Sequence, residues 1–489
     1  MSLSGRAFAP TQLLVDGRWR DAGGGKRFLT HNPATEDVIA EIAEGGRADV
    51  DAAVAAARRA LEGGPWATAT GAQRAATLHR LAALLRDRVD ELVELESLDG
   101  GKPVSATRRQ DLPAAIDCLE YYAGWADKLT GDVVPARRDA LTYTVVQPVG
   151  VVAAVVPWNF PLMNAVWKIA PALACGCAVV LKPAELTPLS ALRLGELALE
   201  AGLPPGVLNV VPGLGPIAGA ALVAHPGVDK VAFTGSPKVG REIMRSAAAN
   251  VTRVGLELGG KSPSIVFADA DLDAAVRQTA AGAFFNAGQV CSAAARVIVA
   301  DDIYDDFVER LVARAAALRA GDPLDPGTTL GPVISEGQMQ RVLGYVDVGL
   351  REGARLIAGG TRIGNRGHFV APTVFAASPE MRVAQEEIFG PVVTLLRFRD
   401  EAEAVRIANG TAYSLAAAVW SRDLQRAHAT AAQLRAGTVW INTYGPTDAR
   451  LPWGGMGGES GIGRDLGRAA IENYTERKTI WVNLNSRAA

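Results

Sequence analysis

Histidine and cysteine are scarce in this 489-residue chain, with five of the first and four of the second. Cys118, Cys175, Cys177 and Cys291 are too few for a disulfide framework. Cys175-Gly176-Cys177 has no histidine cluster beside it, so no metal site is expected. Net charge is nearly absent as well: Lys and Arg number 50 against 52 Asp and Glu, leaving −2. That balance gives no reason to expect nucleic acid or an anionic membrane as partner. Long hydrophobic runs are missing; Val149 to Val156 is the longest, far short of the roughly 20 residues of a membrane helix. Met1 to Arg6 lacks the charged-then-apolar pattern of a secretion signal. A reducing compartment, the cytoplasm, is the expectation.

What is present is ordinary for a soluble globular protein: 49% apolar and 21% charged residues. The length exceeds one compact core, so two or three domains are expected. Residues 11–43 hold short extended pieces broken by Gly23-Gly24-Gly25 and Asn32-Pro33. Val54, Ala57 and Leu61 then fall at helical spacing, and Leu78 to Leu95 predict one long second helix that stops at Gly100-Gly101-Lys102-Pro103. A third helical stretch runs from about Pro113 to Leu129, and Tyr143 to Val149 has strand character outside any alternating unit.

From Val149 strands and helices alternate. Strands are predicted at Val151–Val156, Ala178–Lys182, Val207–Val211, Lys230–Phe233 and Arg253–Leu256, with helices at Leu162–Ala174, Leu189–Ala201 and Lys238–Ala248. Apolar strands alternating with helices make parallel β-α-β units covered on both faces, and ligands bind beyond the carboxyl ends of such strands. A second α/β segment covers about 260–458, with a helix over 271–285 leading to Cys291. No internal repeat or low-complexity linker interrupts the chain.

Four strand-end or helix-end loops carry chemistry. Thr234-Gly235-Ser236-Pro237-Lys238 opens a helix, and amides at a helix N-terminus bind phosphate; taken alone it is an ordinary strand–helix turn. Lys182 and Glu185 follow a strand where an acid can hold the hydroxyls of a ribose, or form a solvated pair. Asn159, in Pro157-Trp158-Asn159-Phe160-Pro161, is a neutral donor for an oxyanion, or a turn former. Cys291 ends the stretch that Glu257-Leu258-Gly259-Gly260-Lys261 begins. A thiol is a strong nucleophile once ionised, and a carboxylate can take protons from it or from water; a buried structural cysteine is the alternative.

Taken together and in this order, these motifs resemble the aldehyde dehydrogenase superfamily. The resemblance runs from about Asn32-Pro33 to Tyr474 and also takes in Lys182-Pro183-Ala184-Glu185, Gly288-Gln289-x-Cys291, Glu386-Glu387-Ile388-Phe389-Gly390-Pro391 and Ser460-Gly461-x-Gly463-Arg464. It implies a Rossmann-like parallel-sheet cofactor domain (1–125 and 148–259), a second α/β catalytic domain (260–458) and a β oligomerisation arm (126–147 and 474–489). It implies Cys291 as nucleophile, Glu257 as general base, Asn159 with the Cys291 amide as oxyanion hole, and Lys168 with Asp465 as a proton relay in which Asp is shorter than the usual Glu. NAD is the implied cofactor. Val156, Trp158, Lys182, Glu185, Gly235, Ser236, Leu258, Glu387 and Phe389 are its implied contacts.

The implied reaction is oxidation of an aldehyde through a thiohemiacetal and a thioester, which water hydrolyses; Glu257 is usually missing from the branch that acylates coenzyme A. Phe160, Trp167, Phe285 and Trp453 match family positions that line the aldehyde tunnel. Four aromatics suit a general aldehyde, or a betaine or amino aldehyde held by cation–π attraction. Asp111 lies near a position that is acidic in amino-aldehyde members, whereas a second such position is Ala114 here. Gly454 to Glu459 is about one residue longer than the family pattern, at the expected tunnel mouth. A non-catalytic homologue and a thiol esterase without redox function are the competing readings. A homo-oligomer, dimer or tetramer, is expected through 131–147 and the tail after Tyr474.

Overall fold

The structure, a computed structural model, describes residues 10–484. The readings of Met1 to Arg6 and of the last five residues of the arm lie outside that range. Two open sheets hold the molecule. The first has eight strands, in the spatial order Gly461–Ile462, Arg253–Glu257, Lys230–Thr234, Val151–Val155, Ala178–Lys182, Leu208–Val210, Leu13–Val15 and Arg18–Arg20. The five central strands are parallel, and the edges are antiparallel. Val151–Val155, at the centre, starts the alternation, so the strand order reverses around it and leaves a crevice at the carboxyl ends.

Helix Pro161–Ala174 is buried on every face and carries Pro161 at its first turn, where a missing N–H costs nothing. Helix Pro237–Ala248 is amphipathic: Gly240, Ile243 and Ala247 face the core, and the Ser236 hydroxyl caps it by accepting from the Val239 amide at 3.3 Å. The second sheet has seven strands, in the order Arg355–Ala358, Thr373–Ala376, Val392–Phe398, Arg296–Ala300, Pro263–Val266, Ala416–Trp420 and Thr438–Ile441. All its pairs are parallel except the first.

Ala140–Pro148 pairs with Thr475–Asn483 as a separate two-stranded ribbon. Between the second sheet and that ribbon the chain returns to the first, where Gly461 lies opposite Glu257. No helix among the described residues is long and apolar enough to cross a membrane.

The long helix expected over Leu78–Leu95 is two helices, Gly71–Asp87 and Val89–Gly100, broken at Arg88 with φ −107° and ψ 19°. No Gly or Pro marks that break. The third helical stretch is also subdivided. A π-helical turn, Thr107–Asp111, precedes helix Leu112–Ala123, and the chain leaves the helix at Gly124 rather than Leu129.

Candidate active site

A cavity of about 1050 Å³ lies between the two sheets. Fourteen of the eighteen residues singled out from the sequence line it: Cys291, Glu257, Asn159, Asp465, Trp158, Gly235, Ser236, Leu258, Glu387, Phe389, Phe160, Trp167, Phe285 and Trp453. Val156, Lys168, Lys182 and Glu185 do not. Val156 is buried at the end of its strand, its amide donating to the Lys182 carbonyl. Lys168 stands behind the wall and donates to Asp465 Oδ2 at 2.7 Å.

Cys291 is the one cysteine of the four that is not fully buried. The turn before it is unusual, for Asn286, Ala287 and Gly288 all have positive φ, at 50°, 51° and 72°. Gly288 has no room for a side chain, since a Cβ would stand 2.0 Å from the Gly390 carbonyl oxygen. Gln289, a polar neighbour of the thiol in sequence, points away from the cavity and locks this turn. Its Nε2 donates to the Asn286 carbonyl and its Oε1 accepts from the Ile334 amide. Asn159 Nδ2 donates to the Gln289 carbonyl at 3.0 Å, and Asn286 Nδ2 donates to the Asn159 carbonyl at 3.1 Å. One of the two Asn159 amide hydrogens therefore fixes the side chain beside the thiol, and the other is free for a ligand. Burial, followed by the nearby carboxylates of Glu387 and Glu257, pushes the Cys291 thiol up to about 12.

Glu257 ends its strand and has one carboxyl oxygen, Oε2, buried without a hydrogen-bond partner. Burial first, and then repulsion from Asp465, holds it well above the usual carboxylate range, against the pull of Lys168 and Arg464. Such an acid is poised to move protons rather than to serve as a fixed charge. Gly260 lets the chain pass close to the nucleophile, since a Cβ there would lie 2.0 Å from the Cys291 carbonyl oxygen.

On one side of the thiol the cavity is lined by 234–238, Arg241, Gln338, Arg341, Glu387, Phe389 and Glu459. Here the capped N-terminus of helix Pro237–Ala248 offers backbone amides and positive dipole to a phosphate. Glu387 Oε1 accepts from the Gly260 amide at 3.0 Å. Its segment is tied down by Gln338 and Arg341, which donate to the carbonyls of Glu387, Ile388 and Phe389. Phe389, at φ 61°, packs edge-on against Trp158 with centroids 5.3 Å apart.

Nearby, Lys182 Nζ donates to Glu185 at 3.0 Å. Burial would raise the Glu185 carboxyl, but Lys182 and backbone donors outweigh it and keep it below its ordinary value. A dinucleotide fits this donor set: a helix N-terminus suits phosphates, carboxylates can accept from ribose hydroxyls, and the edge-on Trp158–Phe389 pair offers an aromatic surface beside them. The loop around Glu459 also belongs to this side, because Glu459 pairs with Arg241 at 2.6 Å and its carbonyl accepts from Gly259. Of Gly454 to Glu459, where the extra length is expected, Glu459 lines the cavity beside Arg241 and Met456 is exposed.

The other side is aromatic. Phe160 and Phe285 stack at 6.3 Å, and Trp167 meets Trp453 edge-on at 6.3 Å. Tyr444, which sequence reasoning missed, joins them and donates its hydroxyl hydrogen to the Ser292 carbonyl at 2.7 Å. No motif flags it; it enters only because Thr438–Ile441 runs beside Ala416–Trp420. Asp111 does not take part. It is buried in an ion pair with Lys102, while Asp117, one helical stretch further on, lines the cavity with Arg109 and Gln110.

The model of the aldehyde dehydrogenase family matches residues 19–480. Aldehyde dehydrogenase 1A1 of Gallus gallus is 48% identical over 97% of this chain and 94% of its own length. Two solved structures superpose with TM-scores of 0.96. One is the NAD+ complex of an aldehyde dehydrogenase from Bacillus cereus, 48% identical with 97% of each chain covered. The other is betaine aldehyde dehydrogenase from Staphylococcus aureus in complex with NAD+, 41% identical, covering 98% of this chain and 96% of that one. The chain belongs to the aldehyde dehydrogenase family. It is an oxidoreductase acting on aldehydes.

Proposed function

We propose that the protein is an NAD-dependent aldehyde dehydrogenase of the hydrolytic kind, with Cys291 as its nucleophile. The observation that carries this reading is that the most accessible cysteine shares one cavity with Glu257, an acid with one carboxyl oxygen unpartnered, and a free amide hydrogen on Asn159. The Cys291 thiol loses its proton to water in the cavity, its sulfur attacks the aldehyde carbon, and the oxyanion is received by Asn159 Nδ2 and the Cys291 amide. Bound NAD, held by the N-terminus of helix Pro237–Ala248, Glu387 and Phe389, would supply the hydride acceptor by which the thiohemiacetal carbon is oxidised to a thioester. Glu257 takes a proton from water, whose oxygen attacks the thioester; the C–S bond breaks and the carboxylic acid leaves. Lys168 fixes Asp465 beside Glu257 for the transfer of that proton.

Residues 1–125 and 148–259 form the NAD domain in this reading and 260–458 the catalytic domain, with 461–462 completing the first sheet. Lys182 orients Glu185 toward the adenosine ribose, and Glu387 holds the nicotinamide ribose. The substrate is a general, uncharged aldehyde. The aromatic wall suits hydrocarbon or aryl chains, and Asp111, the acid that would favour an amino aldehyde, is already paired with Lys102. The test is absorbance at the NADH wavelength with NAD and a panel of aliphatic, aryl, amino and betaine aldehydes. Turnover of aliphatic or aryl members is expected. No NADH with any member would leave a non-catalytic protein or an esterase.

The arm supports a homo-oligomer. A two-stranded ribbon is marginal alone, and Val133, Trp481 and Leu484 on or beside it are 73%, 59% and 58% exposed. A second copy covers them, giving a dimer or tetramer; a monomer by light scattering at micromolar concentration contradicts it. All four cysteines are unpaired, and a thiol nucleophile has to stay reduced, which suits the cytoplasm.

A further inference from the structure

Glu257 and Asp465 line two cavities. One is the passage that holds Cys291. The other lies behind them, with a volume of about 10 Å³, room for one water. Its remaining walls include Lys230, Gly255, Arg464, Asn473 and Tyr474, and it borders Ile462, which is 41% exposed. The general base therefore touches the reaction on one face and a polar, water-sized space on the other.

Lys230 is the unusual member of that space. It projects from Lys230–Thr234, a central strand of the first sheet, and is only 3% exposed. Its Nζ stands 5.1 Å from the Tyr474 ring centroid, and a Cβ on Gly255 would be 3.2 Å away. Among the described residues it has no ion pair and no side-chain hydrogen bond. The groups that face it are Arg253 and Glu257 from the adjacent strand, Lys168 from helix Pro161–Ala174, Cys177 from the turn after that helix, and Arg464, Asp465 and Tyr474 from the returning C-terminal segment. Burial lowers the Lys230 amine to about 8, with Asp465 opposing and Lys168 adding to the shift. A buried ammonium with no ion-pair or hydrogen-bond partner gives up its proton readily.

We propose that Lys230 is the outlet of the proton relay: the proton that Glu257 takes from the hydrolytic water passes by way of Asp465 and a water in the rear cavity to the Lys230 amine, and leaves beside Ile462, on the side away from the aldehyde. The step balances without an oxidant. Water oxygen bonds to the thioester carbon, the C–S bond breaks, sulfur keeps the electron pair, and one water proton travels outward. The acid product loses the other on ionisation. Lys230 touches neither substrate nor cofactor and acts through Glu257 and Asp465 as a positioning and proton-passing residue.

The inference rests on Glu257 being the hydrolytic base, and the experiment separates the two. The full-length enzyme is acylated at Cys291 with a nitrophenyl ester, which makes the acyl-enzyme without a redox step. Its decay is followed by intact mass for wild type, Lys230→Met, Lys230→Gln and Glu257→Gln. Buffer is kept dilute, and pH runs from about 6 to about 10, spanning the amine. Wild-type decay is expected to rise through a limb near pH 8. Both Lys230 variants should acylate normally, lose that limb and decay at least about tenfold more slowly, and regain the rate as imidazole or a small amine is added. A wild-type profile without the limb overturns the proposal whatever the variants do. So does a Lys230 variant that acylates normally and decays like wild type while Glu257→Gln is slow. If Glu257→Gln also decays like wild type, the base assignment falls and the outlet with it.

Discussion

The Lys102 ammonium stands 3.6 Å from the centroid of the Phe160 ring while it hydrogen-bonds Asp111. Phe160 lines the cavity that holds Cys291, so a buried ion pair braces that wall from behind. Both side chains are nearly closed to solvent, at 4% and 1% exposure. Lys102→Met would leave a buried carboxylate without its cation, at a cost of about 3–5 kcal/mol. Urea unfolding should show that loss, and Lys102→Met combined with Asp111→Leu should recover part of it. A single variant as stable as the wild type would mean the pair braces nothing.

Cys291 ionises with difficulty in the free enzyme. With its thiol pushed up to about 12 by burial and by two carboxylates, the thiolate fraction should rise about tenfold per pH unit through the neutral and mildly alkaline range. Alkylation by iodoacetamide without NAD should follow that slope, at this cysteine and no other, since the remaining three are buried. A plateau near pH 8 would contradict it. Cys291→Ala should abolish dehydrogenase and esterase turnover in a folded protein.

Glu257→Gln should spare acylation and hydride transfer but slow thioester hydrolysis by about 10²–10⁴-fold. Mixing the variant with NAD and an aldehyde should then give a burst of NADH followed by slow turnover. Steady-state turnover close to that of the wild type would remove Glu257 from the mechanism.

NAD should be strongly preferred over NADP. The 2′-phosphate of NADP would bring about two negative charges toward Glu185, a carboxyl that Lys182 helps to keep ionised. The kcat/KM for each cofactor at one aldehyde concentration gives the ratio. Glu185→Gln should narrow it; an unchanged ratio would move the cause elsewhere.

Most of the site was legible because its residues sit at the ends of strongly apolar parallel strands, where β-α-β geometry dictates where ligands go. Ala178–Lys182 is strand in both the prediction and the structure, and the Lys182–Glu185 pair follows from it. What could not be read depends on long-range packing. Asp111 lies near a position that is acidic in amino-aldehyde members, but it is buried at the end of a π-helical turn and paired with Lys102. The break at Arg88 carries no Gly or Pro. Tyr444 reaches the thiol only through the order of strands in the second sheet. Gln289, next but one to the thiol in sequence, is a clamp on the turn before Cys291, held by partners as distant as Ile334.

That turn has a kinetic consequence. Asn286 and Ala287 each occupy a left-handed conformation that costs about 1–2 kcal/mol, so the turn does not hold its shape alone. Its supports come from far away, since Asn159 and Gln289 are 130 residues apart and Ile334 is 45 beyond Gln289. Contacts that distant form late, after the local helices and hairpins. During refolding, helical signal should therefore return before the thiol becomes reactive, and a chain caught midway would carry its secondary structure with its nucleophile still unformed.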